Sequence, residues 1–349
     1  MKTLSFIILI NLFHLSLFAR QINGPIITIG QGKVPSVVKD KFNMIHIVYG
    51  TGDSIMYILS KDGSSFSTPS LVAVLPGLFS FAMRGPQLAV SSKGLIITAC
   101  TKEGNIYAYT RLANSKWSRP VVLNQDPSSA KEGLMALSAD GNNVFAAWLS
   151  VNAPKGQKLV GIRSADGGKT WSKNHLVYAS PDKSICECCK PSVVVKKKKV
   201  YVMFCNWLNG NRDLYIATST NGGQTFKDAS KLGVGSWKLS GCPMDGGGLA
   251  VSNTGVVHTV WRRESLIYAA TPGKQEISIG EGRNCTLELI NGSPAYAWTQ
   301  NGEIIIAAPG GYKKNIGKGA LPQLKTINER QLLCIWEKDN QVQSMMIEL

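Results

Sequence analysis

The chain has 349 residues, of which only 17% are charged, and a formal net charge of +16. With 35 glycines, this composition excludes a disordered chain and suits many short strands joined by tight turns. The basic balance favours anionic glycans or anionic surfaces as partners. No helix with a basic face and no nucleic-acid motif accompanies it, so nucleic acid is not an expected partner.

Residues 1–19 read as a signal peptide. Lys2 supplies the positive start, Leu4 to Phe18 is almost wholly apolar, and Ala19 is small enough for cleavage. That apolar run is short for a bilayer span, and no later run is long enough. The expected location is therefore secreted or periplasmic, the expected protein is not an integral membrane protein, and residues 20–349 are expected to form a single domain.

Short alternating apolar runs then recur along the chain. Pro25 to Ile29 is the first. Strands at 44–49, 95–100, 144–149, 200–205, 256–261, 295–299 and 332–337 each open a pair, and strands at 55–60, 106–110, 159–164, 214–219, 266–271, 304–308 and 342–347 follow them. A first strand precedes each pair, as at 87–90 and 192–195, and a fourth follows, as at 121–123 and 176–178. The pattern predicts an all-β fold, a β-propeller of four-stranded antiparallel blades. Seven blades are favoured, with six the alternative. The last unit lacks a fourth strand, and residues 25–29 are free to complete it, closing the ring without an exposed edge. Lys196 to Lys199 falls between two valine-rich runs, where a hairpin tip is expected.

Three loops between third and fourth strands share a pattern. Ser164-Ala165-Asp166-Gly167-Gly168-Lys169-Thr170-Trp171 is complete. Ser219-Thr220-Asn221-Gly222-Gly223-Gln224-Thr225-Phe226 has Asn for Asp. Ser60-Lys61-Asp62-Gly63-Ser64-Ser65-Phe66 is one residue shorter, and Arg111 to Trp117 is a worn copy. Short oxygen-bearing side chains at this spacing bond the backbone of a hairpin, glycine accepts positive φ, and the aromatic covers apolar surface. These residues resemble the Asp box, or BNR repeat, of the sialidase (neuraminidase) superfamily. Glu132-Gly133-Leu134, Cys186-Glu187-Cys188-Cys189, Trp237-Lys238-Leu239, Cys242-Pro243-Met244-Asp245-Gly246-Gly247 and Trp261-Arg262-Arg263 are similar to an exported bacterial branch labelled sialidase-like.

The resemblance implies a glycan-directed protein, either a glycoside hydrolase of the exo-α-sialidase type or a non-catalytic binding propeller. It implies boxes that shape the fold and carry no catalysis. A sialidase holds its substrate carboxylate with three arginines and uses a tyrosine nucleophile beside acidic groups. Here Arg84, Arg262 and Arg263 are the anion-binding candidates, and Glu132 and Asp245 the acid/base candidates. All are placed by the repeat near the axial mouth, as are Arg212 and Asp213. No motif fixes the tyrosine, and Tyr49 and Tyr296 qualify by position alone. Buried arginine–carboxylate pairs between blades would account for the same residues.

Cys186, Cys188, Cys189 and Cys242 lie in loops before the first strands of neighbouring units, which would bring them together. Disulfides are the default in an exported protein, and sequence does not choose the pairing. Adjacent Cys188 and Cys189 would make a strained pair. The alternative is a soft-metal site for copper or zinc with Met244 as a further ligand; otherwise no cofactor is expected. Cys100, Cys285 and Cys334 read as small buried hydrophobes, and Cys205 is close enough in the pattern to reach the cluster. The histidines give no ligand set.

Overall fold

The computed structural model describes residues 23–112, 115–151 and 156–349. The proposed signal peptide at 1–19 lies outside them. The described residues form seven antiparallel four-stranded sheets, and their helix is confined to one 3-10 turn, Pro309–Gly311. The molecule is a seven-bladed β-propeller. Blade 1, for example, runs Lys33–Lys39, Ile45–Thr51, Ser54–Ser60 and Ser70–Val74. The short sixth unit is a full sheet, from Arg283–Ile290 to Tyr312–Lys318, which decides against six blades.

The first strands pack side by side round an axis: Lys33–Lys39, Gln87–Ser91, Met135–Asp140, Ser192–Lys196, Gly247–Val251, Arg283–Ile290 and Ala320–Thr326. Second strands lie between two neighbouring sheets and are apolar on both faces; Ile45–Thr51 is buried through Gly50. Fourth strands form the rim, and Ser70–Val74 has no buried residue. This radial gradient makes the second strands buried on both faces, where the alternating pattern suggests one buried face.

Trp148, Trp298 and Trp336 are fully buried near the ends of second strands. Gly32, Gly282 and Gly319 precede the first strands of blades 1, 6 and 7. A Cβ at any of them would run into Tyr49, Trp298 or Trp336 respectively. Glycine is needed there so that the chain can pass over the aromatic on its way to the axis.

Blade 7 joins both ends of the described chain. Ala320–Thr326, Gln331–Lys338 and Gln341–Glu348 are completed by Ile27–Gln31, with Ile27 opposite Ser344 and Gln31 opposite Gln341. The strand starts two residues later than the apolar pattern at 25–29 suggests, and its pairing bulges between Thr28 and Gly30. The lysine run is a hairpin tip, between Ser192–Lys196 and Lys199–Leu208, with Lys197 at φ 55°.

Antiparallel geometry puts the starts of first strands and the ends of second strands on one face, the mouth. It puts the loops between third and fourth strands on the other. In the complete loop, Ser164 Oγ accepts from Gly168 N at 2.9 Å. Asp166 Oδ1 accepts from Ser164 Oγ at 2.8 Å and from Thr170 N at 3.0 Å, and Oδ2 from Thr170 Oγ1 at 2.6 Å. Ser219, Gly223, Asn221 and Thr225 repeat this, with Asn221 Oδ1 taking the Thr225 amide at 3.0 Å. Ser60 and Asp62 hold the shorter loop through Gly63, Ser64 and Ser65. Gly168 rests on Ile96, and Gly223 on Phe145. Trp171 packs on the core between blades 2 and 3, and the Phe226 ring lies 5.5 Å from Phe145. Each loop therefore fastens its blade to the preceding one.

Candidate functional site

A cavity of ≈ 260 Å³ lies on the axis, walled by the first strands, and its polar lining includes Gln87, Lys190, Ser192, Asp245, Asn284 and Gln323. Of Glu132, Asp245, Arg84, Arg262 and Arg263, only Asp245 lines it; Tyr49 and Tyr296 do not.

The wall has a repeated irregularity. Val34, Asn284 and Leu321 are non-glycine residues at φ 52°, 53° and 54°. Each sits where the first strand of its blade slips register against the second. A β-branched residue in that region is a strained one. Two of these bulges are latched by a carboxylate from a preceding blade: Glu337 Oε2 accepts from Val34 N at 2.8 Å, and Asp245 Oδ1 from Asn284 N at 3.0 Å. Asp245 also takes Gly246 N at 2.8 Å, with Arg262 Nη1 3.5 Å from Oδ2. Burial nonetheless wins over these contacts and raises the Asp245 carboxyl above its ordinary range.

The three arginines are separately engaged. Arg84 Nε donates to the Glu132 carbonyl at 2.5 Å and Nη2 to Glu132 Oε2 at 3.3 Å, joining the approaches to blades 2 and 3. Arg262 reaches Asp245 and the Pro243 carbonyl. Arg263 Nη1 binds Glu276 at 2.6 Å, and its guanidinium lies 4.0 Å from the Tyr268 ring centre. Glu276 in turn accepts from the Val234 and Gly235 amides. Burial alone would raise Glu276, but the Val234 amide, Arg263 and the Gly235 amide hold it at about 2. Arg262, Arg263, Arg212 and Asp213 border a tight cleft between blades 4 and 5, away from the axial cavity. The Arg84 pair joins two blades, whereas the Arg262 and Arg263 pairs lie within blade 5; the three guanidinium groups are not gathered as a clamp around the cavity.

Lys190 was not singled out by sequence. It follows Cys189 directly and lines the cavity, and its ammonium has no hydrogen-bonding or ionic partner among the described residues. Removal from water lowers it to about 8. The signal that could have found it is its register: like Asp245, it lies just before the first strand of its blade.

Beside this wall the cysteine loops meet. Cys188 and Cys242 form a disulfide, with Cα atoms 6.2 Å apart; Cys186, Cys189 and Cys205 are free and buried. Cys186 Sγ lies 3.4 Å from Cys189 Sγ and 3.6 Å from Cys188 Sγ. Arg212 Nη1 donates to Cys186 Sγ at 3.1 Å while its guanidinium faces the half-exposed Trp207 ring. Hydrogen bonds from Cys189 and Cys205, with Arg212 nearby, favour the Cys186 thiolate, and this pushes Cys189 and Cys205 upward. Met244 is exposed at φ 48°, and its carbonyl accepts from Arg283. Cys100, Cys285 and Cys334 are buried and free.

No protein-family model and no curated protein matches the chain. Solved structures do. The BP39L lectin of Burkholderia pseudomallei aligns at TM-score 0.65 and 9% identity, covering 91% of this chain and 96% of the lectin. Virginiamycin B lyase of Staphylococcus aureus aligns at TM-score 0.57 and 12% identity, covering 93% and 98%. The α-L-arabinanase of Penicillium chrysogenum aligns at TM-score 0.55 and 13% identity, covering 94% and 98%. At these identities the likeness shows the fold.

Proposed function

We propose that the chain is an exported, sialidase-like propeller that binds an acidic glycan at the axial mouth. The observation that carries this reading is the unpartnered Lys190 ammonium in a polar axial cavity, a single positive charge suited to a carboxylate or sulfate. The basic net charge supports it, as does the occurrence of this fold in a lectin and a glycosidase. Lys190 is charged below about 8, so affinity for an acidic saccharide falls as pH rises through that value. Titration of the purified protein with acidic glycans selected on an array tests this. Lys190→Met should weaken binding at least about tenfold, the loss of one charge-assisted contact. Equal binding by the variant, or no acidic glycan bound at all, overturns the reading.

The hydrolytic version rests on Asp245, a carboxyl that burial raises and that lines the cavity. A carboxylate-pair glycosidase needs a second such group across the bond. The one in the lining, Glu288, is held by Lys325 at 2.8 Å. Binding is therefore the conclusion. A fluorogenic sialoside turned over by the wild type and not by Asp245→Asn would replace it with hydrolysis.

A further inference from the structure

The glycan reading leaves the thiol cluster unused. Of the six free cysteines, Cys100, Cys285 and Cys334 belong to the cores of three different blade interfaces. Cys186, Cys189 and Cys205 instead share one core with the disulfide sulfur of Cys188. Cys186 Sγ and Cys189 Sγ are 3.4 Å apart, and Cys205 is the neighbouring free thiol of the same core; valine or alanine would pack such a core without thiol chemistry.

We propose that Cys186, Cys189 and Cys205 form a binding site for a soft monovalent cation, Cu(I). The donors are sulfur only: the ligand atoms gathered within one ion's reach are those of Cys186, Cys188 and Cys189, with no histidine or carboxylate, and Cys205, whose carbonyl accepts from the Cys186 amide at 3.2 Å, stands in the same core as the third free thiol. Soft thiolates select copper(I), zinc and iron–sulfur centres. Structural zinc takes four ligands, and the fourth sulfur at hand, Cys188, is committed to Cys242. Three thiolates are enough for Cu(I). Sulfurs sharing one ion at about 2.3 Å stand about 4 Å apart. The 3.4 Å between Cys186 and Cys189 opens to that by small side-chain rotations. Arg212, 3.1 Å from Cys186 Sγ, offsets the negative charge that three thiolates leave around a single positive ion. Binding releases the protons of the neutral thiols to solvent. The loops lie on the mouth face, where Cys242, bonded to Cys188 of the same core, is exposed.

The test uses the mature protein, reduced mildly under anaerobic conditions and titrated with Cu(I) supplied as its bicinchoninate complex. One equivalent should be withdrawn from the chelator. Peptide mapping after alkylation of the unfolded, metal-loaded and metal-free samples should show Cys186, Cys189 and Cys205 protected only when loaded, with Cys100, Cys285 and Cys334 unaffected. Cys186→Ser and Cys205→Ala should each weaken retention at least about tenfold, while Cys242→Ser paired with Cys188→Ser retains the equivalent. The mapping needs no variant, so a variant that fails to fold leaves the test standing. No copper withdrawn, protection that does not follow the three cysteines, or protein as isolated with two of them joined in a disulfide overturns the proposal. None of these outcomes touches the Lys190 result.

Discussion

Asp166 shows how one residue serves an inter-blade loop. Burial alone would raise its carboxyl, but the Thr170 hydroxyl and amide, Ser164 and the Lys169 amide outweigh that and hold it at about 2. A folded value below the ordinary 3.8 means stability present above that pH and lost as pH falls towards 2. Asn221 makes the equivalent backbone bond without a charge. Asp166→Asn should therefore cost under about 1 kcal/mol at neutral pH and flatten this part of the acid limb, whereas Asp166→Ala should cost about 1–2 kcal/mol; urea melts at pH 2.5 and 6 separate the two. Glu276 has the same sign with more at stake, because it neutralises Arg263 inside the protein. Glu276→Gln should cost about 3 kcal/mol by leaving that charge unpaired. A melt within about 1 kcal/mol of wild type would show that Arg263 finds another partner. The loop residues were legible in the sequence because their bonds are local, within four positions. The ion pairs were not, because Arg84 meets Glu132 48 positions away and Arg262 meets Asp245 17 away.

At the scale of elements, the ring depends on one short strand. Ile27–Gln31 covers the outer edge of Gln341–Glu348. Deleting residues 23–31 leaves that edge with unpaired backbone groups, which recruit other chains. The truncated protein should aggregate or dimerise in light scattering and melt at least several degrees lower. A monomer of unchanged melting temperature would mean that closure contributes little. The strands themselves follow from apolar runs and turn residues. The bulges at Val34, Asn284 and Leu321 could not be read in the same way. Asn284 tolerates positive φ, but nothing in the side chains of Val34 and Leu321 favours it; carboxylates on another blade latch two of the three, Val34 and Asn284.

For the molecule as a whole, a net charge of +16 acts over a Debye length of roughly 10 Å at ordinary salt. Capture of an acidic glycan should therefore be faster at low ionic strength. Stopped-flow association rates should fall with added salt, while dissociation changes less. A rate independent of salt would place recognition on uncharged contacts. The ring also decides which residues can meet a ligand. Its axis collects the starts of first strands, so Lys190 and Asp245 reach the cavity, while Arg263, one residue beyond Arg262 on the same strand, faces a cleft between blades.

By itself the sequence determined the architecture: strand repeats, tight turns and inter-blade loops depend on neighbours close along the chain, and such interactions leave a periodic trace. It also brought the cysteine loops together through the repeat. Only the tertiary structure decided that Cys188 pairs with Cys242, that Arg212 stands against Cys186, and that the arginines are spent on separate carboxylates. Those outcomes depend on contacts between loops and strand ends, some across blades and some within one, where partner, distance and burial are set by the folded ring and have no period for a sequence to display.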